Sequence, residues 1–226
     1  MSEPLTVDAP GAASGRERVG PVHALALTAS TFIAAAALLE VLIAVGNWLT
    51  YELIGSYLTE QTTTLADLQR QDTLMSVVNW LDIAAMLAAT VAFLCWLWRA
   101  RVNAGILSTA RHRLGQGWVI GGWLCPLLNL VLPYVIVRDI WRAHRPGTGR
   151  VLVGCWWLLL VTGTALDRFV RYFELRSPDS LDQVRDGAAH STVAALLRLG
   201  AAVLVLVIIR RVTRWQRSCL DVRVNV

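Results

Sequence analysis

The sequence predicts an all-α integral membrane protein, a helical bundle of four transmembrane helices plus a re-entrant helical hairpin on the cytoplasmic side. Three observations carry the prediction. Of the 226 residues 55% are hydrophobic and only 16% charged, too apolar for an ordinary soluble domain. Apolar runs at Val22–Val45, Val77–Trp98 and Thr192–Ile209 approach or exceed the roughly 20 residues that cross a bilayer. The 21 basic residues, every one an arginine, cluster beside those runs. A net charge of +5 placed this way is the pattern of membrane orientation and argues against a nucleic-acid partner. One membrane domain is expected over 22–217, with spans near 22–45, 77–98, 151–170 and 192–209 and the re-entrant segment at 118–137. A polar, disordered cytoplasmic tail is expected at 1–21 and a cytoplasmic C-terminal tail at 218–226.

Val22–Val45 is mostly Ala, Leu and Ile and can span with some tilt. No cleavable signal pattern precedes it, so it reads as a retained anchor. Asn47, Trp48 and Tyr51 follow where a helix leaves the hydrocarbon. Asn47–Ser76 reads as a polar connection, but Thr64-x-x-Asp67 resembles a capping box, and Leu65, Leu68, Leu74, Met75 and Val78 recur at roughly helical spacing. The second membrane helix is therefore expected to start near Leu65, outside the bilayer, and to run through Trp98. Beyond it, Val102, Ile106, Ala110 and Leu114 share a helical stripe that Gly115 and Gly117 end. Val151–Leu166 is short for a span; Phe169, Val170, Tyr172 and Phe173 can lengthen it while Arg168 and Arg171 snorkel outward. Ser180-x-x-Gln183 predicts a short helix start before the last span.

The organising stretch is Trp118–Val137, apolar enough to span yet carrying Pro126, Asn129 and Pro133. Arginine placement decides between two topologies. If the stretch crosses the membrane, the loops on the two sides carry ten arginines each. If it enters and returns to the same face, segments 1–21, 99–117, 138–150 and 210–226 together hold fifteen, against five in 46–76 and 167–191. The second arrangement is the expected one, with both termini cytoplasmic. The prolines agree, since each removes a backbone donor and interrupts the helix. A kinked, fully spanning helix is the alternative.

The same region carries a recognisable series. It reads Arg99-x-Arg101-x-Asn103-Ala104, then Gly117-Trp118-x-x-Gly121-Gly122-Trp123-x-x-Pro126-x-x-Asn129-Leu130-x-x-Pro133, then Asp139-Ile140-Trp141-Arg142. This resembles an uncharacterised family of actinobacterial polytopic membrane proteins known only as a domain of unknown function. The resemblance covers about 45 residues strongly and implies a multi-helix bacterial membrane protein, with no activity attached.

Two constellations are candidates for function. The first is the cytoplasmic-face motif: Arg99, Arg101, Asn103, Trp118, Trp123, Pro126, Asn129, Pro133, Arg138, Asp139, Trp141 and Arg142. Guanidinium groups there suit anionic lipid headgroups; the plainer reading is that they orient the protein while Asn103 and Asp139 tie the hairpin to the bundle. The second is intramembrane charge. Glu40, Asp82 and Arg198 fall at a common depth, roughly 7–10 Å below the outer surface by helical rise, and suit a buried ion-pair network or a relay. Four cysteines without a CxxC pair and four scattered histidines give no metal site, and no catalytic motif is present. The expected protein is a non-enzymatic lipid-binding, sensing or scaffolding membrane protein without a cofactor, its partners being membrane lipids and a possible second copy of itself. The alternative is a small channel or transporter with the hairpin as pore element; an intramembrane enzyme using Glu40 and Asp82 comes last.

Overall fold

The computed structural model describes residues 22–59, 63–107, 115, 117–119, 121, 126–144 and 149–224. Its principal elements are α1 (His23–Thr59), α2 (Leu65–Leu107), α3 (Pro126–Asn129), α4 (Leu132–His144), α5 (Arg150–Phe169), a π-helical turn (Val170–Glu174) and α6 (Leu181–Val224). No strand occurs among the described residues. Helices α1, α2, α5 with its π-turn, and α6 are long and apolar enough to cross a membrane, as in a multi-pass membrane protein.

Local chemistry sets the helix starts. At α2 the Thr64 hydroxyl donates to Asp67 Oδ2 at 2.6 Å and the Thr64 amide donates to the same oxygen at 3.0 Å. The Asp67 amide returns a bond to Thr64 Oγ1 at 3.3 Å, so the expected start at Leu65 is found. Asp67→Ala is expected to cost about 1 kcal/mol, read as a lowered denaturation midpoint, and a wild-type midpoint would refute the cap. At α6 the Gln183 amide donates to Ser180 Oγ at 3.2 Å. This helix is not short: it continues from Leu181 through the whole last span. Nor does α1 stop near Val45, because it runs to Thr59, which reduces the expected polar connection to the few residues before Thr64. Threonine hydroxyls inside the spans satisfy themselves on the carbonyl four residues back, Thr28 on Ala24 and Thr90 on Met86 among them.

The bundle is an open layer. α2 packs on α1, α1 on α6, and α6 on α5, while α2 and α5 approach only through side chains. α1 earns its central place through a stripe of mostly small residues at three- and four-residue spacing: Ala26, Ala29, Ile33, Ala36, Glu40 and Ile43. Large apolar side chains such as Leu38, Leu87, Leu158 and Val203 point outward, where a soluble protein would place polar ones.

Two contacts fix the direction of α5 against α2. Arg171 donates to Asn79 at one level, and the Phe93 and Trp156 rings lie 6.2 Å apart at another. The helices are therefore antiparallel. The C-terminus of α2 and the N-terminus of α5 lie at the same end, termed the near end, together with the start of α1 and the end of α6. α2 thus ends, and α5 begins, at the near end. Between them, α4 has 13 residues, about 20 Å, too short for the roughly 30 Å hydrocarbon core. Pro133 sits in its first turn, where a missing amide costs little. Leu130 Oxygen, freed at the break before α4, accepts from Trp157 Nε1 at 2.8 Å. α4 then buries Ile136, Val137, Ile140 and Trp141 against Trp96, Leu97 and Ala100 of α2, Val153 and Trp156 of α5, and Ile208 of α6.

Several expectations fall outside the described residues: the 1–21 tail, the helical stripe beyond Leu107, Trp123, and the side chain of Pro126. At the other terminus α6 continues to Val224, so the expected C-terminal tail begins as helix.

Candidate functional site

The charged residues of the spans form a connected group. Arg198 of α6 donates from Nε to Glu40 Oε1 at 2.6 Å and from Nη2 to Glu40 Oε2 at 2.9 Å, a bidentate pair between α6 and α1. Its Nη1 lies 3.2 Å from Asp167 Oδ1 of α5. Asp167 Oδ2 in turn accepts from Arg171 Nε at 3.0 Å, and Arg171 Nη2 donates to Asn79 Oδ1 of α2 at 3.2 Å. One chain of bonds thus ties all four long helices together. The side chains of Glu40, Arg198 and Asp167 are 4%, 11% and 12% exposed, so these are buried charges held by complementary partners.

Gly163 makes the approach possible. A Cβ there would sit 3.0 Å from the Ala194 carbonyl oxygen and from Arg198 Cγ, so α5 and α6 close onto each other at the arginine stem. Of the sequence candidates, Glu40 and Arg198 are joined directly. Asp82 lies within electrostatic range of Arg198, Asp167 and Arg171, yet its Oδ1 is buried without a hydrogen-bond partner.

Asp167 and Arg171 were not among the sequence candidates, since both fell at the end of the expected 151–170 span, where charges read as leaving the hydrocarbon. Arg171 does not simply snorkel; it bridges to α2. Their spacing of four residues, with Gly163 four before, was the available signal, because it puts a small residue, a carboxylate and a guanidinium on one helical face.

Where the backbones of α2 and α5 stay apart, a cavity of about 430 Å³ opens between them, closed behind by α1 and α6. Met86, Ala89 and Phe93 line one wall and Leu160, Val161 and Ala165 the other. Glu40, Arg198 and Arg168 lie toward the far end, while Asn129, Leu130 and Trp157 form the floor toward the near end. Asn129, from the central motif, leaves its Oδ1 buried and without a partner beside this space. A second cavity, about 440 Å³ and more polar, lies beyond Asn79 and Arg171 between α1, α2 and α6.

The near-end motif divides in two. Asn103, Asp139 and Trp141 are buried core residues, with Asn103 fully enclosed. Asn103 Nδ2 donates to Gln216 Oε1 at 3.3 Å and Gln216 Nε2 donates to the Ala100 carbonyl at 2.8 Å. Trp96 Nε1 donates to Thr213 at 3.1 Å, one turn earlier on α6. Asp139 is close enough to interact with Arg101 electrostatically. Trp141 packs onto Gly149, whose φ of 85° caps the start of α5. Trp118 and Arg142 are exposed, while Arg99, Arg101 and Arg138 are half-buried. Arg138 lies 5.7 Å from the Tyr134 ring and its Nε has no hydrogen-bond partner. Gln216 and Thr213 were absent from the candidates because a lone polar residue past the last apolar run looks solvated in sequence.

A family model, described as a domain of unknown function (DUF4328), matches residues 60–214. The chain belongs to the DUF4328 family. The DUF4328 match takes in α2, α3, α4, α5 and most of α6, and with them Asn79, Asp82, Asn129, Asp167, Arg171 and Arg198. It leaves out α1, so Glu40, the main partner of Arg198, comes from a helix outside the matched region. No curated protein and no solved structure matches the chain.

Proposed function

We propose that this is a non-enzymatic lipid-binding protein of an actinobacterial cell membrane, with both termini and the arginine-rich near end in the cytoplasm. In this reading 118–137 is a re-entrant hairpin entering from that side, with Asn129 and Leu130 at its tip. The observation that carries the proposal is the apolar groove between α2 and α5. From Trp156 to Arg168 its α5 wall is about 18 Å long by helical rise, more than half of the roughly 30 Å core. Its lining is almost wholly aliphatic and aromatic, with charge confined to one end, which matches a lipid chain below a polar headgroup. The burial of Asn103, Asp139 and Trp141 supports a packing role there, and the exposed Arg142, Arg210, Arg211, Arg214 and Arg217 of the same end suit an anionic leaflet.

Ala165→Trp, which fills the groove from its α5 wall, is expected to leave a folded protein that no longer retains lipid in native mass spectrometry. Undiminished retention would sink the groove as the site. Orientation is tested separately by cysteine labelling in intact cells. Positions 143–149 are expected to be protected from impermeant reagent and 177–187 to react; the reverse pattern would overturn the topology.

A channel or transporter is a second reading, favoured by the charged chain lying between the two cavities. An ion flux into liposomes that Glu40→Gln and Asp82→Asn abolish without unfolding the protein would establish it.

A further inference from the structure

The antiparallel register of α2 and α5 places two leftover charges at one level along the bundle. Asn79 and Arg171 are bonded at 3.2 Å. Three residues nearer the near end on each helix come Asp82 of α2 and Arg168 of α5, each about 4.5 Å below that bond by helical rise. Every other member of the charged group is satisfied: Glu40 by Arg198, and Asp167 by both Arg198 and Arg171. Asp82 Oδ1 is buried and accepts no hydrogen bond. Arg168 lines the groove and makes no hydrogen bond or ion pair with any described residue. An acceptor lacking a donor and a guanidinium lacking an anion thus stand at one level at the far end of the groove, Arg168 in its lining and Asp82 one turn beyond the lining residue Met86.

We propose that the groove takes a phospholipid with a primary-amine headgroup from the outer leaflet, its phosphate on Arg168 and its ammonium on Asp82. The assignment rests on the groove being the lipid site and specifies which lipid enters it. Guanidinium binds phosphate through paired N–H donors. The amine must carry hydrogens, because Asp82 Oδ1 lacks a donor and a trimethylammonium offers charge without one. A phosphate headgroup without any amine would serve Arg168 but set a further negative charge beside Asp82. Arg171 and Arg198 make their bonds to Asn79, Asp167 and Glu40, and neither donates to Asp82 Oδ1.

The test is native mass spectrometry of the full chain after exchange into phosphatidylethanolamine, phosphatidylcholine or phosphatidylglycerol of matched acyl chains. Wild type is expected to retain the ethanolamine lipid roughly tenfold better than either other lipid, the scale of one hydrogen bond to a charged group. Arg168→Gln is expected to weaken retention of all three. Asp82→Asn is expected to erase the preference for ethanolamine over choline while leaving choline-lipid retention unchanged, and Asp82→Glu to restore it. Wild type retaining all three equally, with retention still lost in Ala165→Trp, would overturn the headgroup assignment and leave the groove standing. Retention undiminished in Ala165→Trp would remove the groove itself. A preference for the glycerol or the choline headgroup would overturn the proposal, and so would a preference that survives Asp82→Asn.

Discussion

Arg198→Met is expected to destabilise the protein by about 3–5 kcal/mol, the usual cost of removing one partner from a buried ion pair. The reason is the charge left behind. Glu40 would lose both bonds of its bidentate pair, at 2.6 and 2.9 Å, with a side chain only 4% exposed. Asp167 would keep Arg171 at 3.0 Å, so the loss concentrates on the α1–α6 contact. Adding Glu40→Gln to Arg198→Met is expected to recover part of the loss, because the stranded carboxylate is gone. Glu40→Gln alone should cost less than Arg198→Met, because Arg198 retains Asp167 at 3.2 Å. Unfolding in detergent, followed by the fluorescence of the ten tryptophans, measures all three variants. A change below about 1 kcal/mol in Arg198→Met, the range of an exposed pair, would show that the pair is not a structural lock.

Gly149→Val is expected to be comparably damaging, and for two separate reasons. The residue has φ 85°, which costs an L side chain about 1–2 kcal/mol and a β-branched one more. Any Cβ there would also overlap the Trp141 indole, and overpacking costs about 1–3 kcal/mol in addition. Trp141 is 3% exposed and belongs to the core that docks α4 onto α2, α5 and α6. The damage should therefore be local, loosening α4 while leaving the far-end capping box at Thr64 intact. Amide hydrogen exchange distinguishes the two regions: faster exchange in α4 with unchanged protection at the start of α2 is the expected pattern. Equal loss of protection in both would show that the near end does not unfold as a unit.

Much of the architecture was legible in residues that act locally. The four apolar runs announced four spans, and Thr64-x-x-Asp67 located the start of α2 because a capping box closes its bonds within four residues. The ends of α1 and α6 were harder to read. Nothing in Asn47–Thr59 breaks a helix, and its polarity reflects departure from the apolar band, not loss of helix. For the near-end motif the sequence left two readings open, a headgroup site and a packing role for Asn103 and Asp139. Asn103 and Asp139 look available in a string beside arginines, yet packing turns them inward. The depth argument brought Glu40 and Arg198 together correctly, but it could not say which neighbour each would choose. Asp167 entered the network because α5 crosses α6 at Gly163, a property of two helix surfaces and of neither sequence alone.

By itself the sequence determined that the protein is helical and apolar enough to cross a membrane four times. It also led to the expectation, from a count of arginines over segments that needs no fold, that 118–137 returns to the face it enters from. The tertiary structure decided which faces meet. It paired Glu40 with Arg198 across 158 positions, buried Asn103, Asp139 and Trp141 of the central motif, and held the backbones of α2 and α5 apart so that an apolar groove of about 430 Å³ opens between them. Apolar length, charge bias and capping bonds are set by neighbours in the chain, whereas pairing and cavities follow from helix crossings, which the sequence specifies only through the packing of all its helices at once.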